Sequence, residues 1–140
     1  MPAIAAGVSA KRASAFALNA MIEADRVVAL NGTPELVLTP SNSGKGQVIA
    51  RCPTCRLAVW SNYAGTGPLL RFVRVGTLDT PDAFPPDVHI FTASKQRWAV
   101  LPERALVFPE YYRRVEVWSA EAMARYAALL PAIAAWKACE

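Results

Sequence analysis

Cys52-Pro53-Thr54-Cys55 sets the tightest constraint on this chain. Two thiols three residues apart, with a proline between them, demand a tight turn. Short apolar runs flank it on both sides. Two thiolates at this spacing occupy two corners of a zinc tetrahedron. A redox pair of the thioredoxin type needs a βαβ setting, and these β-rich surroundings count against it. Spacing alone leaves open zinc ligation and a pair of free, partly buried thiols. A closed structural site needs two more ligands. Cys139 and His89 are the only other cysteine and histidine, and both are remote in sequence.

The apolar runs around the pair have strand length, and turn residues punctuate them. Residues 14–22 (SAFALNAMI) predict a strand. Residues 27–30 predict a second, ended by Asn31-Gly32, a strong hairpin signal. Residues 35–39 and 46–51 flank the turn-rich segment 40–45 (PSNSGK) and predict a hairpin. Residues 57–60, 69–75, 89–92 and 98–101 predict further strands. In 69–75, Phe72, Val73 and Val75 carry the packing, with Arg71 and Arg74 at an edge or facing solvent. Pro85-Pro86 fixes an extended approach to His89. The tail changes period. Ser119 is a candidate N-cap, and Ala122, Met123, Tyr126, Ala127 and Leu130 recur at helical spacing. Pro131 predicts a kink or the start of a second helix, with Ile133, Ala134 and Trp136 continuing an apolar face. The expected organisation is a mainly β domain with a C-terminal helix.

Bulk properties narrow the function classes. At 140 residues with 54% hydrophobic and 19% charged, the chain is one core-forming domain and not a disordered tail. The net charge of +4 is scattered, with no long basic run, which argues against nucleic acid and against a polybasic membrane surface. No apolar run reaches membrane-spanning length. A zinc ribbon for nucleic acid would need a second C-x-x-C, and none exists. Three cysteines, an odd number, argue against a disulfide framework, and a cytoplasmic protein is expected. Glu23, Asp25 and Asp79 have no obvious partners and read as turn or surface residues. Cys139 reads as an incidental thiol.

Three blocks carry a resemblance: RCPTCRLAVWSNYAG at 51–65, RFVRVGTLDTP at 71–81, and PPDVHIFTASKQRW at 85–98. Together they resemble the glutathione-dependent formaldehyde-activating enzyme (GFA) family, whose domain also occurs in centromere protein V. The resemblance covers residues 14–114, with 115–140 as a helical tail. It implies a zinc-knuckled Mss4-like (β-tent) fold. It also implies carbon–sulfur lyase chemistry, in which formaldehyde and glutathione join as S-(hydroxymethyl)glutathione. In that family a C-P-x-C pairs with an upstream C-x-C around a structural zinc, and a C-H-C-x-x-C cluster holds the catalytic zinc. Cys52 and Cys55 match the C-P-x-C and carry over as half of the structural zinc site. Nothing here matches the catalytic cysteines. The resemblance therefore implies no catalytic zinc in this chain, and an inactive one as it stands. His89 is expected to be structural or substrate-lining rather than a ligand. Ser94 and Lys95 match a recurring family pair, readable as a solvated turn or as a contact to glutathione or another small thiol. Arg97 stands where the family often has proline. The alternative is a non-enzymatic, zinc-stabilised binding module.

The segment before Ser14 departs from the family. A coding sequence for CHCRWCQRETG, read one base later, spells AIAAGVSAKR, which matches residues 3–12 in order. The expectation is that residues 1–13 are an out-of-frame reading of DNA for the catalytic cluster, the rival being a natural Ala-rich N-terminus that replaced it, and that the family's first strands are missing. Their loss predicts unpaired strand edges and exposed apolar surface. A two-fold homodimer would bring two copies of Cys52 and Cys55 around one zinc.

Overall fold

The computed structural model describes residues 2–5, 15–41 and 44–139, and most of the atypical segment 1–13 lies outside them. Among the described residues seven strands form: β1 (Pro2–Ala5), β2 (Ala17–Glu23), β3 (Glu35–Thr39), β4 (Gln47–Arg51), β5 (Ala58–Tyr63), β6 (Leu70–Arg74) and β7 (Val88–Ile90). Two helices follow, α1 (Arg114–Val117) and α2 (Ala120–Ala138). The protein is mainly β, largely antiparallel, with a C-terminal helix. It divides into two compact units: Met1–Ala20 with Val75–Met123, and Met21–Arg74 with Ala124–Glu140.

In the first unit, β1 runs antiparallel to β2 (Pro2↔Ala20 to Ala5↔Ala17) and parallel to β7 (Ala3↔Val88 to Ala5↔Ile90). Residues 2–5 thus hold a strand paired on both sides within this unit. All three residues of β7 are buried. Its far side is capped by a returning segment: His89 N–H donates to Leu106 O (2.8 Å) and Phe108 N–H to His89 O (2.8 Å). Val88, Ile90 and Tyr112 form the core, with Phe91, Phe108, Val117 and Trp118 packed on it. Trp118 Nε1 donates to the Tyr112 hydroxyl at 2.8 Å, which satisfies an indole N–H that burial would otherwise strand.

In the second unit, β3, β4, β5 and β6 form an antiparallel meander. Gly44 and Gly46 adopt positive φ in the β3–β4 turn, as the segment 40–45 predicts. Among the described residues β3 has β4 as its single neighbour, and its Leu36 and Leu38 are 64% and 73% exposed. One face of the meander is polar inside. Leu70, Phe72 and Arg74 share it by strand alternation, Ser61 sits opposite Phe72, and Arg74 Nη2 donates to Ser61 Oγ at 2.6 Å. On the other face the Arg71 guanidinium lies 4.4 Å from the Trp60 ring centroid and reaches the Val27 carbonyl at 2.7 Å.

Several sequence expectations need correction. Arg74 is buried rather than solvent-facing, because alternation places it on the inner face with Leu70. Residues 27–30 make no strand and Asn31-Gly32 no hairpin. Val28 and Leu30 are 74% and 90% exposed, and the Val27 carbonyl is taken by Arg71. Residues 98–101 make no strand either: Ala99 N–H closes a turn on Gln96 O, leaving Trp98 and Val100 exposed. Ser119 does cap α2, accepting the Ala122 N–H at 3.2 Å. The helix continues through Pro131 as one element rather than starting a second one there. A proline inside a helix costs roughly 3 kcal/mol, which burial of Ile133 and the packing of Trp136 help offset. The inner stripe passes through Leu129, while Leu130 is 48% exposed. No helix among the described residues is long and apolar enough to cross a membrane.

Candidate metal-binding knuckle

The β4–β5 connection places two thiols on one tight turn, Cys55 exposed and Cys52 half-buried. The register shifts at the end of β4, where Ala50 pairs with Trp60 but Arg51 with Ala58, and the chain leaves the sheet there. Cys52 N–H donates to Leu57 O and Arg56 N–H to Cys52 O, each at 2.9 Å. Arg56 closes the turn at φ 63, a left-handed position that costs a non-glycine residue about 1 kcal/mol. Its neighbours hold it there. Arg51 Nη1 donates to Arg56 O at 3.0 Å, and the Arg56 guanidinium pairs with Glu35. The turn aims amides at sulfur. The Cys55 N–H, then the Thr54 N–H and the Cys55 thiol, hold the Cys52 thiol below its ordinary pKa of 9.0. Stabilising the thiolate is what ligation requires. Cys52 is half-buried, and residues 53–57 are exposed.

His89, Ser94 and Lys95 lie in the other unit. His89 is 5% exposed within β7, its Nδ1 buried without a hydrogen-bond partner among the described residues. Burial pushes its pKa below 6.5. The folded protein therefore keeps His89 neutral where the unfolded chain protonates it, so stability falls as pH drops below 6.5. NMR titration of the imidazole should give a midpoint below 6.5, and one at or above 6.5 would contradict this burial. Phe91 at φ 55 starts a single 3-10 turn, Thr92–Ser94. Exposed Ser94 donates to Phe91 O at 3.1 Å, and Lys95 Nζ donates to Ala99 O at 3.0 Å. Cys139 is exposed, just past the end of α2.

The family model for the glutathione-dependent formaldehyde-activating enzyme matches residues 9–94, more than half of the chain. The chain belongs to the GFA family. No curated protein matches it. The GFA match takes in Cys52, Cys55, His89 and Ser94 and stops one residue before Lys95. It begins inside the atypical N-terminal segment, five residues ahead of Ser14.

The structural zinc that the resemblance implies would call for four donors, which makes the donor set the test of fit. Cys52 and Cys55 offer two of them: Cys55 is exposed, Cys52 is half-buried, and the Cys55 and Thr54 amides face the Cys52 sulfur. Among the described residues no group of three or more Cys, His, Asp or Glu could hold a metal ion. The remaining residues of the sequence contain neither Cys nor His. Among the described residues the knuckle therefore offers two thiols and no further donor group that could complete a metal site.

Sequence reasoning missed the Ser61–Arg74 pair in the meander. The signal was available in the alternation of Leu70, Phe72 and Arg74. It was overridden by the expectation that an arginine faces water. It also missed Glu23, read as a surface acid. Arg125 Nε donates to Glu23 Oε1 at 2.6 Å, and the Arg125 Nη2 closes a second bond on the same carboxylate. No local pattern reports a pair 102 residues apart.

Proposed function

We propose that these 140 residues carry the β scaffold of a GFA protein and half of its structural zinc site, and that alone they do not condense formaldehyde with glutathione. The observation that supports this is the donor inventory. The family's reaction, as the resemblance implies it, needs a zinc held by three thiolates with one position open for a thiol or an oxygen. This sequence offers two thiols in one knuckle, a third beyond the last helix and a buried imidazole in the other unit. The thiol partner of the family would be glutathione or a related small thiol. Exposed Ser94 and half-buried Lys95 are the residues we assign to its polar groups. Three free thiols suit a reducing, cytoplasmic setting.

The test is exchange of labelled formaldehyde with glutathione, followed by NMR. The rate with the purified, zinc-supplemented protein should equal the spontaneous rate. Acceleration proportional to protein concentration would overturn the proposal. A version of the protein carrying the family's upstream cysteines separates the two remaining readings. Turnover there marks a carbon–sulfur lyase scaffold, and none marks a binding module.

A further inference from the structure

The β4–β5 turn sets its two thiols against one another. Pro53 has no N–H, so the first amides beyond Cys52 that can face its sulfur are those of Thr54 and Cys55. Both do, and the Cys55 thiol hydrogen-bonds the same sulfur. We infer that Cys52 and Cys55 form a thiol–disulfide exchange site for small organic disulfides, in which Cys55 meets the substrate and Cys52 resolves the intermediate. The inference needs no metal and no formaldehyde chemistry, so it stands or falls separately from the proposed function.

Exposure assigns the two roles: Cys55 is open to a small disulfide, while Cys52 is half-buried. In the first step the Cys55 thiolate attacks one sulfur of the substrate. A mixed disulfide forms on Cys55, the substrate's S–S bond breaks, and one small thiolate leaves. In the second step the Cys52 thiolate attacks the Cys55 sulfur, a disulfide closes within the turn, and the second small thiolate leaves. The protons of the two cysteines end on the two released thiols. The protein pair loses two electrons and the small disulfide gains them, so no further reactant is needed. The second step is favoured because the resolving sulfur is already in place. Cys52 N–H to Leu57 O and Arg56 N–H to Cys52 O, each 2.9 Å, fix the turn that holds it beside Cys55. A thiol fixed in this way acts at high effective concentration. The setting is not that of thioredoxin, since the chain runs from the pair into β5 rather than into a helix, and the turn's own amides orient the sulfur. Cys139 supplies the contrast: it is exposed too, but among the described residues it forms no cluster with the knuckle pair.

The experiment exposes the reduced full chain, in a chelating buffer, to hydroxyethyl disulfide, quenches with acid at intervals and maps each cysteine by mass spectrometry. The expected early product carries the hydroxyethyl thiol on Cys55. The expected end product has Cys52 joined to Cys55 and the small thiol still capping Cys139. Loss of the cap from Cys55 should outpace its loss from Cys139 by at least about 100-fold. In Cys52→Ala the cap should persist on Cys55. The comparison with Cys139 inside the unaltered protein decides the result even where Cys52→Ala does not fold. A cap that persists on Cys55 of the unaltered chain would overturn the inference. So would a knuckle left unreacted while Cys139 is capped, or a first cap found on Cys52 rather than Cys55.

Discussion

Gly67→Ala should lower the unfolding free energy by about 2–4 kcal/mol, among the largest effects expected of any single methyl group in this chain. Gly67 is buried at φ +55, a conformation that costs an L-residue about 1–2 kcal/mol. A β-carbon there would stand 2.6 Å from three ring atoms of Trp136. The indole is a rigid plate, so the clash is relieved only by moving the ring or the end of α2 that carries it. Urea denaturation followed by Trp fluorescence checks this. An unchanged midpoint would mean that the ring does not lie over Gly67. A cycle with Trp136→Leu should be strongly non-additive, because the smaller side chain removes the obstacle while the backbone cost at Gly67 remains.

Glu23→Gln should cost about 1–3 kcal/mol at neutral pH and flatten the acid limb of the stability profile. The bidentate bond from Arg125, working against partial burial, holds the Glu23 carboxyl at about 2, well below its ordinary 4.5. Arg26 adds a weaker attraction, its Nε 4.0 Å from the carboxylate. A depressed folded-state pKa means that the unfolded chain takes up the proton first. The stabilisation is therefore complete above about 4.5 and is lost as pH falls from there towards 2. Unfolding midpoints at about pH 3 and pH 7 should converge in the Gln variant relative to the parent. Equal slopes in the two proteins would show that Glu23 is not the titrating group. Arg125→Lys should recover only part of the loss, since an ammonium cannot reproduce the two-pronged bond.

Much of the architecture was legible because its causes are local. The hairpin of β3 and β4 follows from two apolar runs around Pro40-Ser41-Asn42-Ser43-Gly44-Lys45. The start of α2 follows from a serine that caps its first turn. The knuckle follows from a proline between two cysteines, and the GFA blocks around it are contiguous. Each of these is decided within a few residues by backbone sterics, capping or turn chemistry. Tertiary structure decided what depends on partners far along the chain. Residues 27–30 and 98–101 have strand-like composition, yet β-propensity forms a strand only where a neighbour offers its hydrogen bonds, and among the described residues none does. Arg74 goes inside because Ser61 on the next strand meets it. Glu23 is ionised into acid because Arg125 arrives from the last helix, and Gly67 is obligatory because Trp136 lies on it. The number of thiols near Cys52 and Cys55 belongs to this second class as well: composition counts donors, but only the folded backbone determines which of them can share one metal.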